Sequence, residues 1–225
     1  MSVRSYEQAL ILARMPRTRS AGLKEHLVEA AAELLDSHGP ASVTTRQIAR
    51  HAAVSDGVLY NHFSDREELV VAALVRRYGS LVEAFEARLA EPAGEGSTRP
   101  LRAWLQTYAL ALRELNADAL HLAAGVIAEP RLLEALWVEM HRAPLGLDRL
   151  RRPLLDRLEA ARANGAVAKD LDVDAAASLV FGAALMSAIT LRVNAHVHRD
   201  RLDRDLDAVV DLLSSALETP ATRGR

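Results

Sequence analysis

The spacing of apolar residues predicts a chain built from amphipathic helices. From residue 21 to about residue 37, apolar side chains recur every three or four positions and so share one helix face: Leu23, Leu27, Ala30, Ala31, Leu34 and Leu35. Gly39 and Pro40 follow, and this pair predicts the end of that helix. No stretch shows the apolar-polar alternation of a half-buried strand. The pattern therefore predicts an all-α fold.

Between residues 44 and 66 the apolar pattern is divided into short segments by residues that begin helices. Three pairs have the chemistry of a helix start, a hydroxyl N-cap with an acid or amide in the first turn: Thr44 with Gln47, Ser55 with Asp56, and Ser64 with Glu67. These starts predict two short helices joined by a tight turn, followed by a longer helix that continues to about residue 90. That layout is typical of a helix-turn-helix DNA-binding domain.

The rest of the chain predicts more helices and one clear loop. Residues 91–99 combine Pro, Gly, Ser and Thr without periodicity, as a loop does. Helices are expected over about 100–116, 118–128, 130–141 and 202–217. A further helix is expected to end at Asn164-Gly165, and another is expected to begin at Asp172. Pro144 and Pro153 are each expected to interrupt or kink the helical pattern. No apolar run approaches the roughly 20 residues that span a bilayer, so a soluble, cytoplasmic protein without a membrane partner is expected.

These motifs resemble the TetR family of transcriptional repressors. The matching segments are TTRQIA from Thr44, the Val54-Ser55 turn, G-x-LYNHF from Gly57, and a basic residue followed by E-x-L from Arg66. The resemblance is strong from about residue 23 to residue 74. It implies an N-terminal three-helix helix-turn-helix DNA-binding domain and a C-terminal helical domain for ligand binding and dimerisation. On this basis the domains are expected at residues 1–20 (a basic, flexible arm), 21–66 (DNA binding) and 67–225 (ligand binding and dimerisation).

The N-terminal arm has two interpretations. It carries four arginines against a single acid, Glu7. It is either a solvated, disordered tail or an arm that reaches a DNA phosphate or a minor groove.

The resemblance also implies which residues touch DNA: Thr45, Arg46, Ser55, Asp56, Gly57, Val58, Tyr60, Asn61, His62 and Arg66. Within this set, Thr45, Tyr60, His62 and Arg66 are expected to contact the phosphate backbone. Arg46, Asp56, Val58 and Asn61 are expected to face base edges. Arginine pairs well with guanine, asparagine with adenine, and valine with a thymine methyl. Asp56 departs from the family, which often has a basic or neutral residue there. It either accepts a hydrogen bond from cytosine N4 or serves only at the helix start.

The C-terminal half is expected to form a homodimer around a small-molecule pocket. Its candidate dimer residues are Leu179, Ala183, Met186, Leu206, Val209 and Leu213. Its candidate ligand residues are Trp104, Tyr108, His121, Trp137, Met140 and His141. Packing inside one protomer is the alternative for both sets. A palindromic double-stranded operator and a largely apolar effector that releases it are the expected partners.

Composition narrows the function classes. A formal net charge of -2 gives no global nucleic-acid signal, so a DNA site must be a local patch. The absence of cysteine excludes thiol redox sensing, Cys-ligated zinc and disulfides.

An enzyme built on a helical bundle is the rival class, but its metal, nucleophile and phosphate-binding motifs are missing, so no enzyme and no cofactor are expected. His196 and His198, two residues apart, fall on different helix faces and make a poor metal site. The sequence does not separate repressor from activator, nor does it identify the operator or effector.

Overall fold

The computed structural model describes residues 17–90, 99–194 and 198–217, and within these ranges all regular structure is helical. The α-helices found there are α1 Arg17–His38, α2 Thr45–His51, α3 Asp56–Tyr60, α4 Arg66–Leu89, α5 Leu101–Ile127, α6 Pro130–Arg142, α7 Leu147–Ala163, α8 Val173–Val193 and α9 Arg199–Leu217. A short 3-10 turn, Pro40–Ser42, lies between α1 and α2. The predicted all-α fold is confirmed.

The contacts divide the chain into two compact units. Of the described residues, the first unit contains those up to Arg77 together with Ala128–Glu139, and the second contains those between Tyr78 and Ile127 and those from Met140 onward. Helices α4 and α6 each contribute residues to both units. The division by contacts therefore falls inside α4, whereas the division drawn from the sequence falls at its start.

The first unit forms around the apolar face of α1. Almost fully buried side chains come from α1, α2, α3 and the segments that follow them: Leu27, Ala31, Leu35, Val43, Ile48, Leu59 and Phe63. Helix α1 begins at Arg17, inside the stretch expected to be an arm, and residues 1–16 of that arm lie outside the described residues. It ends before Gly39, whose φ of 72° favours glycine, so the predicted helix stop is confirmed.

Two of the predicted helix starts in this unit can be compared directly. Thr44 and Gln47 form the complete capping box at α2, as predicted. Ser55 occupies the N-cap position of α3, but its side chain makes no capping hydrogen bond. The helix start at Ser55 was therefore correctly located, while its expected side-chain bond is not formed.

The predicted Ser64–Glu67 pair at the start of α4 is wrong by one residue. The backbone N–H of Glu68 donates to Oδ1 of Asp65 at 2.8 Å, so Asp65 is the cap. Oε2 of Glu68 in turn accepts from the backbone N–H of Ser64 at 2.8 Å. A carboxylate accepts a stronger hydrogen bond than a hydroxyl does, which favours Asp65 over its neighbour Ser64 as the cap.

In the second unit α5 packs against α7, α8 and α9, and α8 packs in turn against α7 and α9. Helix α5 continues through Asn116, so the predicted break there is wrong; that part of α5 contains neither Gly nor Pro to stop a helix. Pro153 lies inside α7 without ending it. The predicted stop at Asn164-Gly165 and the Asp172 cap of α8 are confirmed.

Helix α8 corrects the statement that no apolar segment is long enough to span a bilayer. It is 21 residues long and apolar enough to cross a membrane by length and composition. The many alanines, together with Gly and Ser, hid this in the search for large apolar residues. Helix α8 packs against α5, α7 and α9, but only 33% of its most apolar 18-residue window is buried. One such helix is weak evidence for a membrane.

Candidate nucleic-acid interface

Short backbone hydrogen bonds fix the turn between α2 and α3. The N–H of Val54 donates to the carbonyl of Ala49 at 2.9 Å. Ala53 adopts a φ of 53°, the left-handed conformation that an alanine rarely takes. Nε2 of His26 on α1 lies 3.1 Å from the carbonyl oxygen of Ala52. The turn is thus held both by its own backbone and from α1.

A second contact links α1 to α2. Nε2 of His51, in the last turn of α2, lies 2.6 Å from Oε2 of Glu33 on α1. Neither this contact nor the one from His26 follows from the local apolar pattern, because the partners are 18 and 26 residues apart. Sequence reasoning therefore missed the residues that hold α2 in place.

Two of the expected phosphate contacts are neighbours in space. The hydroxyl of Tyr60 on α3 lies 3.3 Å from Oγ1 of Thr45 on α2. The Tyr60 side chain is 54% exposed, which is unusual for a large aromatic residue. The pair presents two hydroxyl groups, suited to phosphate oxygens, where α2 and α3 meet.

The other expected contacts on α2, α3 and the turn are also accessible. Arg46, Asp56, Gly57 and Asn61 are exposed, as is Ser55, whereas Val58 and His62 are half-buried. A Cβ atom built at Gly57 meets only Oγ of Ser55, at 4.0 Å, so packing within the protein does not require glycine there. Asp56 is the first residue of α3, where the helix dipole stabilises a carboxylate.

Arg66 differs from the rest of the expected set. Its Nε donates to the carbonyl of Val43 at 2.7 Å, and its Nη2 donates to the carbonyl of Pro40. Its Nη1 also lies 3.6 Å from a carboxylate oxygen of Glu129. The guanidinium therefore joins the start of α4 to the segment between α1 and α2.

The six candidate ligand residues are not one group in the structure. Trp104 and Tyr108 are buried together in the second unit, with stacked rings whose centroids lie 5.4 Å apart. The hydroxyl of Tyr108 donates to the carbonyl of Leu150 at 2.9 Å, and burial raises the pKa of this phenol. The others have more accessible side chains, half-buried at Met140 and exposed at His121, Trp137 and His141, and Trp137 belongs to the first unit.

The candidate dimer residues fall into two classes. Leu179 and Met186 on α8 are 51% and 62% exposed, and Ala183 between them is half-buried. Leu206 and Leu213 on α9 are buried within the protomer, and Val209 is half-buried. A groove of about 420 Å³ is lined by residues of both helices, which also pack against each other. The residues of α8 are thus available to a partner, while Leu206 and Leu213 already belong to the core of one chain.

A polar ladder between α5 and α9 was not predicted. Arg102 pairs with Asp211, Gln106 Nε2 donates to Asp207 at 2.7 Å, and Arg113 pairs with Asp203. The three aspartates are spaced four residues apart and so share one helix face. That regular spacing was visible in the sequence and is the signal that would have found the ladder.

The sequence of the first unit matches a known family. Residues 27–73 match the profile of the bacterial regulatory proteins of the tetR family. The fatty acid metabolism regulator protein of Bacillus subtilis (strain 168) is 27% identical over 67 residues, which cover 30% of this chain and 34% of that protein. The matched stretch thus spans about a third of the curated relative.

Similar folds extend over most of the chain. A protein from Mesorhizobium loti, described as a TetR-family transcriptional regulator, has a TM-score of 0.68 and 22% identity over 89% of this chain and 99% of its own. The transcriptional regulator FadR from Bacillus subtilis, solved in complex with stearoyl-CoA, has a TM-score of 0.56 and 22% identity over 86% of this chain and 99% of its own. At these identities the likeness concerns the fold.

Proposed function

The chain belongs to the TetR family of bacterial transcriptional regulators, and from this premise we propose that it represses transcription by binding a palindromic operator as a homodimer. The observation that carries the proposal is the exposed surface of α2 and α3, with the paired hydroxyls of Thr45 and Tyr60 beside exposed Arg46 and Asn61. Hydroxyl groups suit phosphate contacts, and arginine and asparagine suit base edges in the major groove. Regulators of this family are DNA-binding proteins rather than enzymes.

Within this proposal the ten candidate residues have different roles. Thr45, Tyr60 and His62 contact phosphates, Arg46, Val58 and Asn61 contact base edges, and the exposed backbone at Ser55 and Gly57 comes close to the duplex. Asp56 accepts from a cytosine amino group, which its exposed position at the start of α3 permits. We assign Arg66 an indirect role, because its hydrogen bonds to Val43 and Pro40 engage its guanidinium within the protein.

The dimer is proposed from the exposed apolar face of α8. Leu179, Met186 and Val193 are spaced seven residues apart, so they lie close to one line along the helix, and all three are exposed. Close contact with a second copy is favoured by the small residues Gly182 and Ala183 in the same helix. A two-fold dimer presents two copies of α3, which matches two half-sites about 34–36 Å apart on DNA.

The effector is proposed to be a small, largely apolar or amphipathic molecule that binds in the second unit. The buried Trp104–Tyr108 stack gives that unit an aromatic surface of the kind found in apolar pockets. FadR from Bacillus subtilis, which shares the fold, was solved with an amphipathic acyl thioester. An effector of this type releases DNA to the extent that it prefers the dimer form with unsuitably placed recognition helices. As in other members of the family, a cytoplasmic location is expected.

Selection from a randomised duplex pool tests the DNA-binding proposal. The wild-type protein, the Tyr60→Ala/His62→Ala double variant and a His38→Ala control are compared at one low salt concentration. His38 is exposed on α1, its ring nitrogen lies 3.3 Å from the carbonyl oxygen of Leu34 in the same helix, and it is not among the proposed DNA contacts, so its removal is expected to leave the proposed interface intact. A palindromic consensus is expected for the wild type and the control, and its loss is expected for the double variant.

Two outcomes would count against the proposal. Absence of enrichment with a folded, ligand-free wild-type protein excludes sequence-specific binding, and enrichment of the same consensus by the double variant excludes the proposed interface. The selected duplex then serves in a release screen with apolar, amphipathic and highly charged metabolites. Release by highly charged metabolites alone would contradict the apolar effector, while leaving the DNA-binding proposal intact.

A further inference from the structure

A groove of about 770 Å³ lies within the first compact unit, among α1, α4 and the segment of α6 that belongs to this unit. We call it the acidic groove. Its volume falls in the range of about 300–1,000 Å³ that is typical of small-molecule sites. None of the six candidate ligand residues of the sequence analysis lines it.

The walls of the acidic groove are apolar. They include Val28 on α1, Phe63 just before α4, Val71 and Val75 on α4, and Val138 on α6. Val138 is 46% exposed, which leaves apolar surface open on the α6 side. Such walls favour a ligand with an aromatic or aliphatic body, because its burial removes apolar surface from water.

The rim of the groove carries an excess of negative charge. Five carboxylates and two cationic side chains line it. Asp65 and Glu68 are already used at the start of α4, as described above. Glu67 and Glu134 have no hydrogen bond or ion pair to any residue in the described part of the chain. The groove therefore has acidic groups left to compensate a ligand of positive charge.

One contact in the groove pairs the protein's own lysine with an aromatic ring and a carboxylate. Nζ of Lys24 lies 4.9 Å from the centroid of the Phe63 ring and 3.8 Å from Oε1 of Glu68. An aromatic face next to a carboxylate is the combination that binds ammonium groups, through the ring quadrupole and the negative charge together. Lys24 occupies this ring face and Phe63 is only 1% exposed, so the charged group of a ligand is left to the carboxylates of Glu67 and Glu134.

We propose that the acidic groove binds a small organic cation with an apolar body. The site is distinct from the effector pocket proposed in the second unit. It lies next to the proposed DNA-contacting residues of α3 and the segment after it, because Phe63 directly follows His62 and comes three residues after Tyr60. A ligand here that prefers one arrangement of α1, α4 and α6 would act on the DNA-binding unit itself.

Calorimetric titration of the full-length protein without DNA tests the proposal. The probe is tetraphenylphosphonium, an apolar cation, and its matched control is tetraphenylborate, which has nearly the same shape and the opposite charge. We expect saturable binding of the phosphonium and at least tenfold weaker binding of the borate. Because no DNA is present, the result is independent of whether the proposed operator binding is correct.

Four variants locate the binding. Glu67→Gln combined with Glu134→Gln is expected to weaken phosphonium binding about fivefold, since the half-buried Glu67 and the exposed Glu134 each contribute a modest, partly screened attraction. Arg131→Gln removes an opposing charge from the rim and is expected to strengthen binding about twofold. Ala135→Phe adds bulk to the α6 wall and is expected to abolish binding. Glu83→Gln changes an exposed acid on α4 outside the groove and is expected to bind as the wild type does.

Any of three results would overturn the proposal: equal affinity for phosphonium and borate, wild-type affinity in the Glu67/Glu134 double variant, or wild-type affinity in a folded Ala135→Phe variant. The glutamine substitutions keep size and polarity, so their effect does not depend on whether Ala135→Phe folds. Circular dichroism of each variant checks that helix content is retained.

Discussion

At the residue scale, two positions in the helix-turn-helix have backbone or packing features that a substitution can test. Ala53 takes a left-handed conformation, and Gly57 occupies an exposed site with room for a side chain. The first feature concerns the stability of the turn, while the second concerns its approach to DNA. The two substitutions Ala53→Gly and Gly57→Ala therefore separate folding from binding.

Ala53→Gly is expected to stabilise the protein. An L-residue in the left-handed region is strained by about 1–2 kcal/mol, and the larger backbone entropy of glycine in the unfolded chain offsets part of that gain. The net increase in the free energy of unfolding is expected to be about 0.5–1 kcal/mol, measured by urea denaturation. Ala52→Gly is the control: Ala52 has a φ of -75° and is buried, so this change is expected to destabilise instead. Destabilisation by Ala53→Gly would mean that the turn is not strained.

Gly57→Ala is expected to leave the fold intact and weaken operator binding. Alanine favours a helix over glycine by about 1 kcal/mol, and the added Cβ has only the Ser55 hydroxyl nearby, at 4.0 Å. If the backbone of α3 lies against the duplex, the methyl group displaces it and lowers affinity about tenfold or more, as measured by fluorescence anisotropy. Unchanged affinity in this variant would show that DNA does not approach α3 at Gly57.

At the element scale, the ladder between α5 and α9 combines an ion pair that has one buried member with an ion pair that is exposed on both sides. The Arg113 side chain is 2% exposed and its partner Asp203 is 39% exposed, whereas both members of the Arg102–Asp211 pair are 53% exposed. Loss of a partner is costly when the remaining charge is buried, and of little consequence when water can solvate it. The two ion pairs are therefore expected to contribute differently to the stability of the fold, although their aspartates lie on one face of α9.

Asp203→Asn is expected to destabilise the protein by about 1–3 kcal/mol. The value lies below that for a fully buried pair because Asp203 itself is partly solvated. Asp211→Asn, the matched change at the exposed pair, is expected to produce no measurable change. Both are measured by urea denaturation at pH 7. Equal effects of the two substitutions would contradict the assignment of Arg113 as a buried charge that needs Asp203.

A second pair in this unit predicts a pH dependence. Nε and Nη2 of Arg149 donate to the two carboxylate oxygens of Glu86 at 2.7 and 2.8 Å, and these hydrogen bonds lower the pKa of Glu86. A carboxyl group with a lowered pKa in the folded state stabilises the fold above its unfolded value, about 4.3, and this contribution is lost as pH falls through the folded pKa. Wild-type protein is therefore expected to lose more stability between pH 6 and pH 3 than Glu86→Gln does.

Urea midpoints at several pH values measure this difference. Both side chains are more than one third exposed, so the contribution is expected to stay below about 1 kcal/mol. Asp156→Asn on α7 is the control, because Asp156 is exposed and has no partner among the described residues. Identical pH profiles for wild type and Glu86→Gln would mean that the pair does not form in solution.

At the scale of the whole molecule, the sequence predicted what local pattern controls. The all-α fold, the Thr44–Gln47 capping box and the Asp172 cap depend on residues within a turn of one another, and each is confirmed. Contacts between residues that are far apart in the chain cannot be predicted from a local pattern. For this reason the candidate ligand residues, which were chosen by residue type, do not form one group in the structure. Arg66 illustrates the same limit, because its partners at Val43 and Pro40 are 23 and 26 residues away.

The proposed dimer gives the prediction that involves the whole molecule. Combined Leu179→Glu and Met186→Glu substitutions place charges on the exposed face of α8, where burial of each apolar side chain would contribute about 1.5–3 kcal/mol to association. We expect the variant to be a folded monomer by light scattering, while the wild type is a dimer. Because one protomer can engage only one half-site, its operator affinity is expected to fall at least a hundredfold. Leu147→Glu is the control, since Leu147 on α7 is 62% exposed but lies outside the α8 face. A Leu179/Met186 variant that stays dimeric would move the proposed interface elsewhere, and a monomer that binds the full operator as tightly as the wild type would remove dimerisation from the mechanism.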